Sequence, residues 1–129
     1  MPTLSFNHFN LRADRAMTSK LRDFYIDIVG MVEGWRPPFQ FPGHWLYLGE
    51  QAVLHLVEDE SAQQSAGDRN CALDHVAFSC TNISEFEARL QNRGVEYRRI
   101  LVPGTTQVQL FVSDPSGNGV EFNFANGGA

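Results

Sequence analysis

Four side chains in this chain are spaced as if two copies of one unit each supplied a pair. His8 lies in Phe6-Asn7-His8-Phe9-Asn10-Leu11, and His75, 67 residues on, lies in Leu73-Asp74-His75-Val76-Ala77-Phe78. Each is a single imidazole in a stretch that alternates like a strand. His55, in Ala52-Val53-Leu54-His55-Leu56-Val57, has its counterpart 66 residues later, where Glu121 stands in Gly119-Val120-Glu121-Phe122-Asn123-Phe124. A carboxylate between Val120 and Phe122 has to be paired or to face a cavity. If the two copies are related by pseudo-two-fold symmetry, the four residues surround one point. Three imidazoles and one carboxylate suit a divalent first-row metal such as Ni, Zn, Co, Mn or Fe. Two histidines with a glutamate are also the facial set of mononuclear iron, which leaves positions open for substrate and water.

Other residues could meet a substrate. Arg36 is the only cation in an aromatic stretch, Trp35-Arg36-Pro37-Pro38-Phe39-Gln40-Phe41, and its fork of donors suits a carboxylate. Trp45 and Tyr47 share one strand face and line either core or pocket. Asn10, Gln107 and Gln109 are polar residues on strand faces and candidate pocket donors. His44, beside Pro42-Gly43, has no counterpart in the second half and reads as a loop residue. Cys71 and Cys80 are too few and wrongly spaced for a disulfide framework or a zinc knuckle, and read as free thiols.

The elements that must carry these residues follow from periodicity. Alternation from Leu4 to Leu11 predicts a strand with Leu4, Phe6, His8 and Asn10 on one face. Asp14 is an N-cap, Met17, Leu21, Phe24, Tyr25 and Ile28 recur at helical spacing, and Gly30 closes the helix. Met31 to Gly43 reads as an extended loop or edge, because the prolyl pair cannot join a central ladder. His44–Leu48 and Ala52–Glu58 are strands around a turn at Gly49. The polar, aperiodic segment 59–70 is a linker. The second half repeats the order: strand Leu73–Cys80, a helix from Asn82 or Ser84 with Ile83, Phe86 and Leu90 on its stripe, Gly94 as its end, then strands Val95–Val102, Gln107–Ser113 and Val120–Phe124. Asp114-Pro115-Ser116-Gly117-Asn118 has type I turn chemistry. The order is βαβββ twice, with modules at 4–58 and 71–125 in a single domain covering 1–129.

Composition limits the functions open to such a chain. With 129 residues, 43% of them hydrophobic and ten of them phenylalanine, the chain can bury a core. A net charge of −5 with no cluster of Lys and Arg argues against nucleic acid as a partner. No apolar run reaches membrane-spanning length, and the N-terminus lacks the pattern of a signal peptide, so a cytoplasmic location is expected. No nucleophile elbow suggests hydrolysis.

In these motifs and their order the chain resembles the vicinal oxygen chelate superfamily, which takes in glyoxalase I, extradiol dioxygenases, fosfomycin-resistance thiol transferases, methylmalonyl-CoA epimerases and bleomycin resistance proteins. The resemblance runs from Leu4 to Phe124. It is carried by His8, by Leu21-Arg22-Asp23-Phe24-Tyr25 with Gly30-Met31, by Leu73-Asp74-His75-Val76-Ala77-Phe78, and by Asp114-Pro115-Ser116-Gly117-Asn118 ahead of Glu121. Arg36-Pro37-Pro38-Phe39-Gln40-Phe41-Pro42-Gly43-His44-Trp45-Leu46 resembles glyoxalase-like members. The resemblance implies an α+β fold of two βαβββ modules forming a cupped mixed sheet, and a metal bound by His8, His75 and Glu121. It also implies a homodimer in which His8 and His55 of one subunit meet His75 and Glu121 of the other. His55 falls where glyoxalase I has a metal-binding glutamate, so it is a fourth ligand or an acid/base. The implied activity is metal-dependent chelation of vicinal oxygens and proton transfer at the adjacent carbon, with Glu121 as base. The alternatives are an Fe(II) extradiol-type dioxygenase and a metal-free small-molecule binding protein of the same fold. The fosfomycin family's lysine and serine have no match at Ile100–Thr106.

Overall fold

A computed structural model describes residues 2–62 and 72–127. The chain divides into two compact units, Met1–Ser65 and Ala66–Ala129. Each unit carries a four-stranded mixed sheet and one α-helix.

The first unit runs β1 (Phe9–Ala13), α1 (Arg15–Phe24), β2 (Val32–Gly34), β3 (Gly43–Leu48) and β4 (Gln51–Glu58). Its strand order is β1-β4-β3-β2, with β1 parallel to β4 and the other pairs antiparallel. Asp14 caps α1, accepting from the Met17 amide at 2.8 Å. A π-helical turn, Tyr25–Val29, extends the helix until Gly30 ends it at φ 95°. Leu21, Phe24, Tyr25 and Ile28 are buried, as are Leu46, Leu54 and Leu56 of the sheet. The helical stripe read from the sequence is thus the core stripe. The π turn carried no sequence signal.

The second unit repeats the plan as β5 (His75–Ser79), α2 (Ile83–Asn92), β6 (Arg98–Leu101), β7 (Val108–Ser113) and β8 (Gly119–Phe124). Strand order is β5-β8-β7-β6, again with the first pair parallel. Asn82, not Ser84, is the N-cap of α2, and it takes the left-handed φ of 63°. Its side chain accepts from the Glu85 amide and donates to the Glu85 carboxylate, a reciprocal cap. Ile83 and Leu90 are buried, and the Phe86 ring meets Phe122 and Phe124 at 4.9 and 5.4 Å. In the turn before β8, the buried Asp114 carboxylate accepts from the amides of Ser116 and Asn118, both at 2.9 Å.

The α+β class and doubled βαβββ order are as the sequence implied, while several boundaries differ. β1 begins at Phe9, not Leu4, and Leu4 and Phe6 are 92% and 66% exposed. The ladder stops at the Phe9–Leu54 pairing, and the Gln51 side chain donates instead to the carbonyls of Asn7 and Phe6. The aromatic stretch is entered by the short edge strand β2. β6 begins three residues later than its alternation suggested. His44 is a β3 residue rather than a loop residue. Of the expected linker, 63–70 lie outside the described residues, as does Cys71. No helix among the described residues is long and apolar enough to cross a membrane.

Candidate metal and substrate site

Register explains why the four candidate residues pair as they do. On the first sheet Asn10 stands opposite His55, and His55 opposite Trp45. On the second, Ala77 stands opposite Glu121, and Glu121 opposite Phe111. His55 and Glu121 are therefore equivalent positions, and His8 and His75 each precede the opposing residue by two. With a side-chain period of two, all of these lie on the face away from the buried leucines of each sheet.

In the second unit His75 Nε2 is 3.1 Å from Glu121 Oε1. The other ring nitrogen, Nδ1, is 2.8 Å from Asp74 Oδ2, so each nitrogen of the ring faces a carboxylate oxygen. With Nδ1 turned to Asp74, Nε2 is the nitrogen that faces Glu121 and is placed to serve as a ligand. Two donor atoms about 2.1 Å from one ion and at a right angle stand roughly 3.0 Å apart, so this pair fits a divalent metal. Glu121 is 5% exposed, and its Oε2 accepts from Gln109 and Asn123, each at 3.2 Å. The buried carboxylate is thereby oriented with Oε1 left for His75. Phe111 closes the side of the pair, its edge-on ring 5.5 Å from that of His75.

In the first unit the same device recurs. His8 Nδ1 is 2.7 Å from the side-chain oxygen of Asn7, the residue before it, as Asp74 is before His75. A partner on Nδ1 fixes the tautomer and frees Nε2 for a ligand, the usual arrangement behind metal-binding histidines. Neither Asn7 nor Asp74 was singled out in the sequence, although a polar residue precedes both histidines. The His8 ring stacks on His55 at 3.8 Å and 16°, and His55 stacks in turn on Trp45 at 3.9 Å and 8°. Imidazoles donate in their ring planes, and planes so nearly parallel cannot both contain one ion at bonding distance. His8 and His55 as arranged do not bind the same ion. His55 Nε2 instead donates to the Ala52 carbonyl at 3.1 Å. Desolvation, then the neighbouring His8 and the Arg36 charge, hold its pKa below the ordinary histidine value.

The structure thus brings together His8 with His55, and His75 with Glu121. Among the described residues no three His, Cys, Asp or Glu side chains form a metal-binding cluster. Asn10 is an exposed neighbour of His55 in register. Arg36 folds into its own loop, with its guanidinium 5.0 and 5.2 Å from the Phe39 and Phe41 rings and Nη2 donating to the Phe41 carbonyl. Tyr47 donates its hydroxyl to the Trp35 carbonyl at 2.6 Å and holds the aromatic stretch. His44 lies on the opposite face from His55, 2.6 Å from Glu33, which in turn lies 3.8 Å from Arg22 of α1. It is remote from the His55 cluster.

Residues 5–122 match the model of the Glyoxalase/Bleomycin resistance protein/Dioxygenase superfamily. The chain belongs to that superfamily. It is 32% identical over 123 residues to a protein of Arabidopsis thaliana named glyoxylase I 4, spanning 91% of this chain and 68% of the relative. Among solved structures it is similar to a glyoxalase family protein from Bacillus anthracis, with 26% identity, a TM-score of 0.73, and 95% and 96% of the two chains covered. The lactoylglutathione lyase of Agrobacterium tumefaciens shares the fold at 20% identity and a TM-score of 0.68, over 98% of this superfamily member and 97% of that chain.

Proposed function

We propose that this superfamily member is a divalent-metal-dependent, glyoxalase-like enzyme of the lyase or isomerase type, which chelates vicinal oxygens of a small molecule and moves a proton at the adjacent carbon. The observation that carries this reading is the pair His75–Glu121, a ring nitrogen and a carboxylate oxygen 3.1 Å apart, each side chain held from behind by a polar side chain. The 32% identity to a glyoxylase I relative supports the same class. In this reading His8, His75 and Glu121 hold the metal, and a cytoplasmic homodimer lets subunits share active sites.

A bound metal supplies Lewis acidity to the substrate oxygens and so acidifies the neighbouring C–H. Gln109 and Asn123 hold Oε2 of Glu121, which keeps the carboxylate turned with Oε1 toward His75, and Glu121 is the candidate base for that proton. Asp74 keeps His75 in the tautomer that offers Nε2. His55 stays neutral near pH 7, because its pKa is lowered, and serves as the second acid/base rather than as a ligand. Trp45 and His8 hold its ring in place.

The test is metal content of protein purified without chelator, beside Glu121→Ala, followed by turnover of a hemithioacetal of a 2-oxoaldehyde. About one metal per chain, lost in the variant, is the expected result. Wild type without metal, and without a rise in melting temperature on metal addition, would sink the reading. Bound iron together with oxygen consumption on a catechol would move the chemistry to the dioxygenase class.

A further inference from the structure

Two adjacent arginines on β6 point to opposite faces of the second sheet, and among the described residues only Arg99 of the two is ion-paired. Arg99, opposite the buried Leu110, reaches the helix side and pairs with Glu87 of α2 at 2.5 Å. Glu87 also accepts from the Tyr97 hydroxyl at 2.8 Å, so this cluster ties β6 to α2. Arg98 stands opposite Phe111, and Phe111 opposite Glu121. Arg98, Phe111 and Glu121 therefore form one row across three strands on the face that carries His75. The Arg98 guanidinium lies 5.2 Å from the Phe111 ring centre, and that ring stands edge-on to His75. Among the described residues no carboxylate pairs with Arg98, in a chain whose net charge is −5.

We infer that Arg98 is a specificity-determining residue: it receives a carboxylate of the substrate, whose vicinal oxygens sit at His75–Glu121 and whose body spans the row between them. Strands about 4.8 Å apart put Arg98 and Glu121 roughly 10 Å apart at their backbones. A six-membered ring with oxygens at one end and a carboxylate at the other spans the gap between their side chains. The guanidinium is already turned over an aromatic face and keeps its edge donors for an anion, the geometry in which arginine reads a planar carboxylate. In the first sheet the position equivalent to Arg98 is Gly34, opposite Trp45, so the duplicated fold carries this cation in one copy only.

This inference rests on the proposed chelation of vicinal oxygens at the His75–Glu121 end. Its test compares binding of catechol and 3,4-dihydroxybenzoate to the zinc-loaded full chain by calorimetry, under anaerobic conditions. Wild type should prefer the carboxylate-bearing probe by about tenfold or more. Arg98→Gln should abolish that preference and leave catechol affinity unchanged, while Arg98→Lys should retain part of it. A wild type that binds both probes equally, or an Arg98→Gln chain that keeps the preference, overturns the role of Arg98 and leaves the chelation reading intact. If neither probe binds and the chain takes up no zinc, both fall together. Unchanged melting temperatures of the variants would show that an exposed edge-strand residue was altered without unfolding the sheet.

Discussion

The ring of His75 joins Glu121 through Nε2, at 3.1 Å, although the two residues lie on different strands and are not opposite each other in register. Glu121 is opposite Ala77, two residues beyond His75 on β5. The diagonal is what lets an imidazole and a carboxylate meet without crowding. Asp74 completes the line from the other side of the ring.

That line predicts a graded response to substitution. Asp74→Ala should weaken metal affinity by roughly ten- to a hundredfold, because the ring loses the partner that fixes its tautomer. Asn7→Ala should weaken it similarly through His8, whereas Glu121→Gln should remove most of it. Asp74 is 91% exposed in its side chain, so Asp74→Ala should leave melting temperature nearly unchanged. Competition with a chromophoric chelator measures the affinities. Equal affinity of wild type and Asp74→Ala would refute the orienting role.

His55 gives a second prediction, which separates acid/base from ligand. Replacement by phenylalanine keeps an aromatic ring between His8 and Trp45. His55→Phe should hold the wild-type complement of metal while losing turnover on the order of a hundredfold or more. Loss of metal from this variant, measured by mass spectrometry, would make His55 a ligand.

How much of this was legible in the sequence follows from what each residue answers to. Leu21, Phe24 and Ile28 answer to helical period, and Glu121 to the oddity of a carboxylate between Val120 and Phe122; both were readable. Alternation overextends the first strand because Leu4 and Phe6 alternate correctly but, among the described residues, have no strand partner. Phe111 and Arg98 carry no signal of their own in the sequence because their significance lies in register, while Asn7 and Asp74 adjoin the histidines they hold and are marked out only by those hydrogen bonds. Only pairing tells Arg98 from Arg99, or puts Phe111 beside Glu121. His44 reads as a loop residue because it follows Pro42-Gly43, and its place on β3 opposite Leu56, on the face away from His55, is set by register.

Cys80 supplies a pH prediction. Burial pushes its thiol from the ordinary 9.0 up to about 11, against a smaller opposing pull from Arg89. The folded chain keeps the proton where the unfolded chain has lost it. The contribution to stability is therefore present below pH 9.0 and is lost as pH rises from there towards about 11. In a Cys71→Ser background, alkylation of native protein by iodoacetamide at pH 8 should run on the order of a hundredfold slower than in denaturant. Equal rates would show Cys80 to be an exposed, ordinary thiol.

Gly119 gives the last prediction, because it governs how closely β8 approaches the start of β5. It is paired with His75, and a Cβ built on it would lie 2.5 Å from the Asp74 carbonyl and 2.9 Å from His75 Cβ. The first of these is backbone and cannot swing aside, so alanine must move one strand relative to the other. The displaced atoms belong to the residue that orients His75 and to His75 itself. Gly119→Ala should thus weaken metal binding more than a core truncation of equal stability cost. Leu90→Ala on α2, expected to cost about 2–5 kcal/mol, is the control. Denaturant melts match the two variants in stability, and the chelator competition then compares their metal affinities. If the two lose metal affinity alike, the close approach at Gly119 matters only to folding, and the position of His75 tolerates the shift.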